Sequence, residues 1–131
     1  MTADLTGAWL GRYAYPGGRA VPFEAEIVQA GAAIDGRVRE PNTFAAGGPG
    51  ELIAEIGGWV DGGTLRFTKR YENADSGGDP EYAGRLSRDG MRVAGSWSFP
   101  GRPGAHGTFT MSRKPRAEAR AKRREGALAP R

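Results

Sequence analysis

Apolar and polar residues alternate along most of this chain, which is the pattern of β-strands that bury one face. The clearest stretch is TLRFTKRY at 64–71, where Leu65 and Phe67 face one way and the threonines and arginines face the other. The same alternation predicts eight strands, at 8–15, 22–29, 33–39, 51–60, 64–71, 81–87, 91–99 and 107–113. Because each strand has one apolar face, the sheet is expected to bury one side only.

An open sheet of such strands leaves two unpaired edges, and closure into a barrel removes them. Glycine inside a strand is destabilising unless the sheet bends there or another group packs closely on the backbone. Several predicted inward positions nevertheless carry glycine, namely Gly11, Gly36, Gly84 and Gly95. Coiling of the sheet explains them. The sequence therefore predicts an all-β fold, a single antiparallel up-and-down barrel of about eight strands in residues 1–113.

The links between the predicted strands alternate in length, which gives the barrel two different ends. Tight links are expected at 30–32, 61–63 and 88–90, where glycine favours short hairpin turns. Longer links are expected at 16–21, 40–50, 72–80 and 100–106. Alternate links of an up-and-down barrel lie at the same end, so one end is predicted to be closed and the other to carry long loops. Binding sites are common on such loops and in barrel mouths.

The positive charge of the chain belongs to its C-terminal part. The whole sequence has a formal net charge of +4, but residues 112–131 hold eight Lys/Arg against two acids, whereas residues 1–111 hold eleven against thirteen. Residues 114–131 are expected to form a basic tail that is disordered or weakly helical, since they have no apolar stripe to bury. Nucleic-acid binding is not expected except through this tail.

Composition excludes several kinds of chemistry. The 131 residues include no cysteine, which excludes disulfides, zinc–thiolate sites and thiol nucleophiles. No stretch approaches the roughly 20 apolar residues of a transmembrane helix, and the first residues lack the basic and apolar regions of a signal peptide. A cytoplasmic protein without a membrane span is therefore expected. No metal and no cofactor are expected, because there is one histidine and no glycine-rich loop that opens a helix.

Two short features resemble the structural signature of the calycin group, which comprises lipocalins, fatty-acid-binding proteins and avidin-like barrels. Gly7-Ala8-Trp9 opens the first predicted strand, and Arg113 ends the last. In that group a Gly-x-Trp places an indole across the closed end of the barrel, and an arginine from the last strand packs over it. The resemblance implies a structural role for Trp9 and Arg113, and it implies that the barrel binds small, largely apolar ligands, as proteins of that group generally do. Neither the second lipocalin motif nor avidin's biotin-binding residues are matched.

Aromatic side chains are concentrated at inward positions toward the long-loop end, and one lysine stands among them. A buried lysine has to be paired or to have a lowered pKa. Lys69 is thus a candidate partner for a ligand carboxylate or another anion. Alternatively it pairs with a local acid, Glu40 or Glu72, or its ammonium reaches the mouth; the barrel is also narrow enough to be filled by its own side chains. The predicted ligand-binding residues are Tyr13, Phe67, Lys69, Tyr71, Tyr82 and Trp97.

Three other features are candidates for function. Phe44, in the loop opened by Glu40 and Pro41, is a candidate lid or a residue of the core. His106, placed in a loop before the last strand, is expected to be solvated. An apolar patch for a homodimer is predicted on the outward face of one strand, formed by Ile53, Trp59 and Val60.

The sequence favours a non-enzymatic protein that binds a small hydrophobic or aromatic ligand in the barrel lumen, at the long-loop end. The alternative is an interaction module with a filled barrel, whose basic tail and outer surface bind a macromolecular partner. A barrel enzyme using Lys69, Tyr71 or His106 is a third hypothesis, but no second converging group is evident for it. No catalytic residue is assigned.

Overall fold

The fold is a closed antiparallel barrel of eight strands, seen in a computed structural model that describes residues 4–41, 50–73 and 78–114. Each strand pairs with the next, and β8 pairs with β1 to close the barrel. The predicted all-β, up-and-down architecture is confirmed. The strands are β1 (Gly7–Ala14), β2 (Ala20–Ala30), β3 (Ala33–Pro41), β4 (Glu51–Asp61), β5 (Thr64–Tyr71), β6 (Glu81–Leu86), β7 (Arg92–Phe99) and β8 (Arg102–Arg113).

The last hairpin differs from the prediction. β8 begins at Arg102, so the link after β7 consists of Pro100 and Gly101, and the long loop expected at 100–106 is wrong. Gly101 has a φ of 81°, a backbone conformation that suits a tight turn. Residues 103–105 have no partner in register on β7, so the proline at 103 removes no ladder hydrogen bond.

Two further residues lie elsewhere than predicted. His106 is within β8, opposite Ser98, and is exposed on the outer face of the barrel rather than in a loop. Val60 is buried in the core, because it shares the inward positions of β4 with Ile56. Trp59 does face outward and is 54% exposed. The predicted apolar patch therefore loses Val60.

Alternation of side chains along each strand builds the core. In β5 the side chains of Leu65, Phe67 and Lys69 point into the barrel, and the residues between them are exposed. Inward glycines let neighbouring strands curl tightly. A Cβ atom at Gly95 on β7 would clash with the carbonyl oxygen of Ala83 on β6, so the position accepts no side chain.

The closed end is built around Trp9. The guanidinium carbon of Arg113 lies 4.7 Å from the centre of the Trp9 ring, as the calycin-type signature predicts. The Trp9 indole N–H donates to the Leu5 carbonyl oxygen at 2.9 Å, and Leu5 is fully buried. Arg113 donates from Nε to the Gly90 carbonyl oxygen at 2.9 Å and from its other nitrogens to carbonyl oxygens of the segment 4–6. Arg113 thereby fastens the N-terminal segment across the end of the barrel.

Some predictions fall outside the described residues. Phe44, the candidate lid, and the tail at 115–131 are among them. Within the described ranges, no helix has the length and apolar character needed to cross a membrane.

Candidate functional site

Four strands, β1, β3, β5 and β6, place polar side chains in the lumen near the open end of the barrel. Glu40 follows Ile34, Gly36 and Val38 at the inward positions of β3, and β3 extends to Pro41, so the Glu40 carboxylate points into the barrel. Lys69 occupies an inward position of β5 by the same alternation. The two residues meet although 29 positions separate them in the sequence.

Lys69 and Glu40 form a buried ion pair. The Lys69 ammonium donates to Glu40 Oε1, and the two side chains are 2% and 0% exposed. Tyr13 donates its hydroxyl to Glu40 Oε2 at 2.5 Å, and Tyr71 donates to Oε1 at 3.1 Å. Lys69 Nζ also donates to the Tyr82 hydroxyl oxygen at 3.4 Å. Glu40 therefore accepts hydrogen bonds from three side chains, which offsets part of the desolvation of its charge.

Aromatic rings surround the ammonium group. The distances from Lys69 Nζ to the ring centres are 4.7 Å for Tyr13, 4.8 Å for Tyr71, 5.6 Å for Tyr82 and 5.9 Å for Phe23. A cation within about 6 Å of a ring centre is attracted by the ring quadrupole, most strongly where water is excluded. The site is thus suited to hold one positive charge in an otherwise apolar lumen.

Burial sets the protonation behaviour of the site. Desolvation lowers the pKa of Lys69, and the adjacent Glu40 carboxylate opposes that shift. Desolvation also raises the pKa values of Tyr71 and Tyr82, and the negative charge of Glu40 raises both further. Both phenols therefore stay neutral and keep a proton to donate at physiological pH.

A second set of rings lines the wall beside the ion pair. Phe67 stacks on Tyr82 with ring centres 4.8 Å apart. Trp97 meets Tyr13 edge-on at 6.0 Å and Tyr15 edge-on at 4.8 Å. The Trp97 indole N–H is a buried donor with no hydrogen-bond partner in the described part of the chain, an arrangement that is rare in folded proteins.

The lumen itself is nearly filled. The cavity bounded by Phe23, Phe67, Lys69, Tyr82 and neighbouring apolar side chains measures about 10 Å³, which is at the lower limit for one water molecule. A ligand larger than water fits there only if side chains move.

The six residues predicted from the sequence all lie in or beside this centre. Lys69, Tyr13, Tyr71 and Tyr82 contact one another or share Glu40, while Phe67 and Trp97 pack against them. Of the two acids proposed as partners for Lys69, Glu40 is the one in contact. Glu72 instead pairs with Arg37 at 3.0 Å on the surface.

Two members of the centre were absent from the predicted ligand-binding set. Glu40 was assigned to a loop, although the alternation through Val38 continues to it, and that continuation was the available signal. Phe23 shares the inward positions of β2 with Ala25 and Ile27, but its position beside Lys69 depends on the stagger between β2 and β5, which the sequence does not display.

Comparison with known proteins bears on the fold. No family model matches this chain, and no curated protein matches it. Among solved structures the chain is similar to a redesigned β-barrel, with a TM-score of 0.59 and 16% sequence identity over 85% of this chain and 92% of that chain. At this level of identity the likeness concerns the fold alone, a small eight-stranded antiparallel barrel.

Proposed function

We propose that this protein is a calycin-like, non-enzymatic binding protein. Its ligand is a small hydrophobic or aromatic molecule that carries an acidic group and is held at the open end of the barrel. The single observation that carries the proposal is the ammonium of Lys69, paired with a carboxylate and ringed by aromatic side chains in a lumen that is otherwise apolar.

Stability alone gives little reason for such a pair. Replacing a buried ion pair by apolar side chains of similar volume is often neutral or stabilising. Clusters of buried titratable groups with a specific charge partner are also enriched at functional sites. A retained charge in a filled lumen therefore favours recognition of a charged group over packing.

In this proposal Glu40 occupies the place of a ligand carboxylate. An incoming acid exchanges with the Glu40 carboxylate on Lys69, so one carboxylate–ammonium contact replaces another. Tyr71 and Tyr82 remain protonated and supply hydroxyl groups to the bound acid. Tyr13, Phe67 and Trp97 provide the aromatic surface of the lumen around the bound acid group.

The test compares acids with neutral analogues of the same shape. Phenylbutyrate and decanoate, and the corresponding amides, are titrated into the purified protein by calorimetry and tryptophan fluorescence. The acids are expected to bind at least about tenfold more tightly than the amides, because a charged hydrogen bond is lost with the amide. Equal affinity for acids and amides, or no binding of any acid, would rule the proposal out.

Variants assign the preference to the buried pair. The double variant Lys69→Met/Glu40→Gln removes the charged pair without leaving a lone buried charge, and it is expected to lose the preference for acids. Arg70→Met is the matched control, because Arg70 is the neighbour of Lys69 that faces solvent on β5. Its acid preference is expected to equal that of the wild type.

A second candidate is an interaction module with a filled barrel, whose tail and outer surface bind a macromolecular partner. The nearly filled lumen favours it. Its test is salt-dependent binding of duplex DNA by the full chain and by a chain lacking 115–131. Loss of binding with the barrel still folded would support the module. A cytoplasmic location and a homodimer remain predictions.

A further inference from the structure

β2 and β3 are not paired at the end of the barrel that holds the ion pair, and this unpaired stretch is called the opening below. β2 begins at Ala20 and β3 ends at Pro41, but the two strands pair only from Glu24 opposite Arg39 to Ala30 opposite Ala33. On their other sides both strands continue to pair, β2 with β1 as far as Ala20 and β3 with β4 as far as Pro41. The pairing between β2 and β3 is therefore missing at this level, although each of the two strands still pairs with its other neighbour.

Two prolines explain the missing ladder. If the register of the β2–β3 hairpin continued, Phe23 would lie opposite Glu40 and Pro22 would lie opposite Pro41. Proline has no backbone N–H and cannot donate to a ladder. With a proline on both strands at the same level, neither strand supplies a donor there, and the two separate.

The opening lies between the surface and the buried ion pair, whose side chains are 2% and 0% exposed. A shallow, open surface depression of about 580 Å³ lies over the opening. Leu10, Pro22, Phe23 and Pro41 give it apolar surface, and Glu40 lies in its lining. Phe23 and Glu40 thus belong both to this depression and to the surroundings of Lys69.

The charges at the rim are already paired. Arg39 pairs with Glu51 at 3.5 Å, and Glu24 pairs with Lys114 at 3.6 Å. The charged group that an occupant meets on the inner side is therefore the exchangeable Glu40–Lys69 pair. An acid complements Lys69 once the Glu40 carboxylate has turned away from it.

We infer that the ligand is a compact amphipathic acid that binds through the side of the barrel, with its apolar body in the opening between β2 and β3 and its acid group on Lys69 in place of Glu40. This inference rests on the proposed function. It assigns the body of the ligand to a depression of about 580 Å³ and only its acid group to the lumen, whose cavity is about 10 Å³.

The test fills or closes the opening without touching the ion pair. Leu10→Trp fills the depression from the outer face, and Ser112→Trp is its matched control, because Ser112 is the exposed cross-strand partner of Leu10 on β8 and lies outside the depression. Pro22→Thr/Pro41→Thr restores two backbone donors and is designed to extend the ladder. Pro103→Thr is its control, since Pro103 is an exposed proline of β8. Circular dichroism and thermal unfolding check that every variant is folded.

The probe is phenylbutyrate, whose affinity is measured by calorimetry and whose association rate is measured by stopped-flow displacement of anilinonaphthalene sulfonate. Leu10→Trp is expected to weaken binding by about tenfold or more, a typical effect of steric misfit in an apolar pocket, and the double proline variant is expected to slow association. A loss in either variant with both controls unchanged supports the inference. Wild-type behaviour of both variants, or an equal loss in the controls, overturns it.

The outcome separates this inference from the proposal beneath it. One outcome is that phenylbutyrate binds the wild type with an affinity that depends on Lys69 and Glu40 but is unchanged in the variants of the opening. In that case the proposed acid site is supported and the route through the side of the barrel is wrong. If phenylbutyrate and decanoate do not bind the wild type at all, both are wrong.

Discussion

Each end of the barrel holds a cation against aromatic rings, but the two arrangements are built differently. At the closed end, Arg113 lies over Trp9, and its donors are taken up by backbone carbonyl oxygens. At the open end, Lys69 lies among rings, and its partner is the carboxylate of a side chain, Glu40. Backbone carbonyls are fixed by the fold, whereas a side-chain carboxylate can rotate away and be replaced.

The indole groups differ in the same sense. The Trp9 N–H is hydrogen-bonded to the Leu5 carbonyl oxygen, while the buried Trp97 N–H has no partner among residues 4–41, 50–73 and 78–114. The closed end is thus satisfied internally, as a structural seal would be. The open end has a buried ion pair, an indole N–H without a partner among the described residues and an interrupted ladder between β2 and β3, which are features that stability does not require.

The largest expected effect is at the open end. Lys69→Met leaves the Glu40 carboxylate buried without a counter-charge and is expected to lower the free energy of unfolding by about 3–5 kcal/mol. Lys69→Met/Glu40→Leu removes both charges and is expected to regain most of that loss. Chemical denaturation measures both. If the double variant is as unstable as the single one, the ion pair is not the cause.

The next largest effect is expected at alkaline pH, which should lower stability through the buried tyrosines of the open end. In the unfolded chain Tyr71 and Tyr82 ionise near their usual pKa of 10.0, but in the barrel burial and Glu40 raise the pKa of both. Above about pH 10 the folded state therefore binds more protons than the unfolded state, and stability falls with pH by about 1.4 kcal/mol per unit for each tyrosine.

Lys69 contributes with the opposite sign. Its pKa is lowered in the folded state from the usual 10.5, so between the lowered pKa and the usual one the unfolded chain binds more protons at this group, and its contribution to stability rises with pH across that interval. Denaturation at several pH values between about 8 and about 11.5 measures the balance. A Tyr71→Phe/Tyr82→Phe variant should lose the steep alkaline decline, and an unchanged decline would show that other groups cause it.

A smaller loss is expected at the closed end. Arg113→Met removes hydrogen bonds to backbone carbonyl oxygens and the contact with Trp9, which together are expected to contribute about 2 kcal/mol. Amide exchange at Leu5 should become faster, because Arg113 fastens that segment. Affinity for an acid at the open end should not change. A parallel loss of that affinity would show that the two ends are coupled.

The smallest effect distinguishes the two indoles. Trp97→Phe removes a donor that has no partner in the described part of the barrel, so it is expected to change stability by no more than about 1 kcal/mol. Trp9→Phe removes the same atoms but also breaks the bond to the Leu5 carbonyl oxygen, and it is expected to be the more destabilising of the two by about 1 kcal/mol. Parallel denaturation curves measure the difference, and equal losses would contradict it.

The alternation of apolar and polar residues was sufficient to predict the barrel. Alternation places Leu65, Phe67 and Lys69 inside β5 without knowledge of any neighbour. It failed at β8, where Pro103 and Gly104 favour a loop, because residues 103–105 lie within the strand but have no ladder partner on β7. It also misassigned Val60, whose position in β4 follows from counting inward positions from Ile56.

The contacts around the ion pair could not be predicted from the alternation within single strands. Alternation predicts that Lys69 and Tyr13 face inward, but which acid reaches Lys69 depends on how far neighbouring strands are staggered around the barrel. The unpaired stretch between β2 and β3 could have been predicted from the sequence. A two-residue turn at Gly31 and Ala32 fixes the register of that hairpin, and counting back from it places Pro22 opposite Pro41.

The closure between β1 and β8 has a consequence for the order of folding. β3, β4 and β5 are consecutive, so Glu40 and Lys69 can meet in an open sheet, where water still reaches them. The contact between Arg113 and Asp4 spans 109 positions, and such distant pairings form slowly. We expect the joining of the last strand to the first to expel water from the ion pair late in folding. The charge retained in the lumen is therefore expected to slow closure of the barrel, and variants with an apolar pair at 40 and 69 are expected to fold faster.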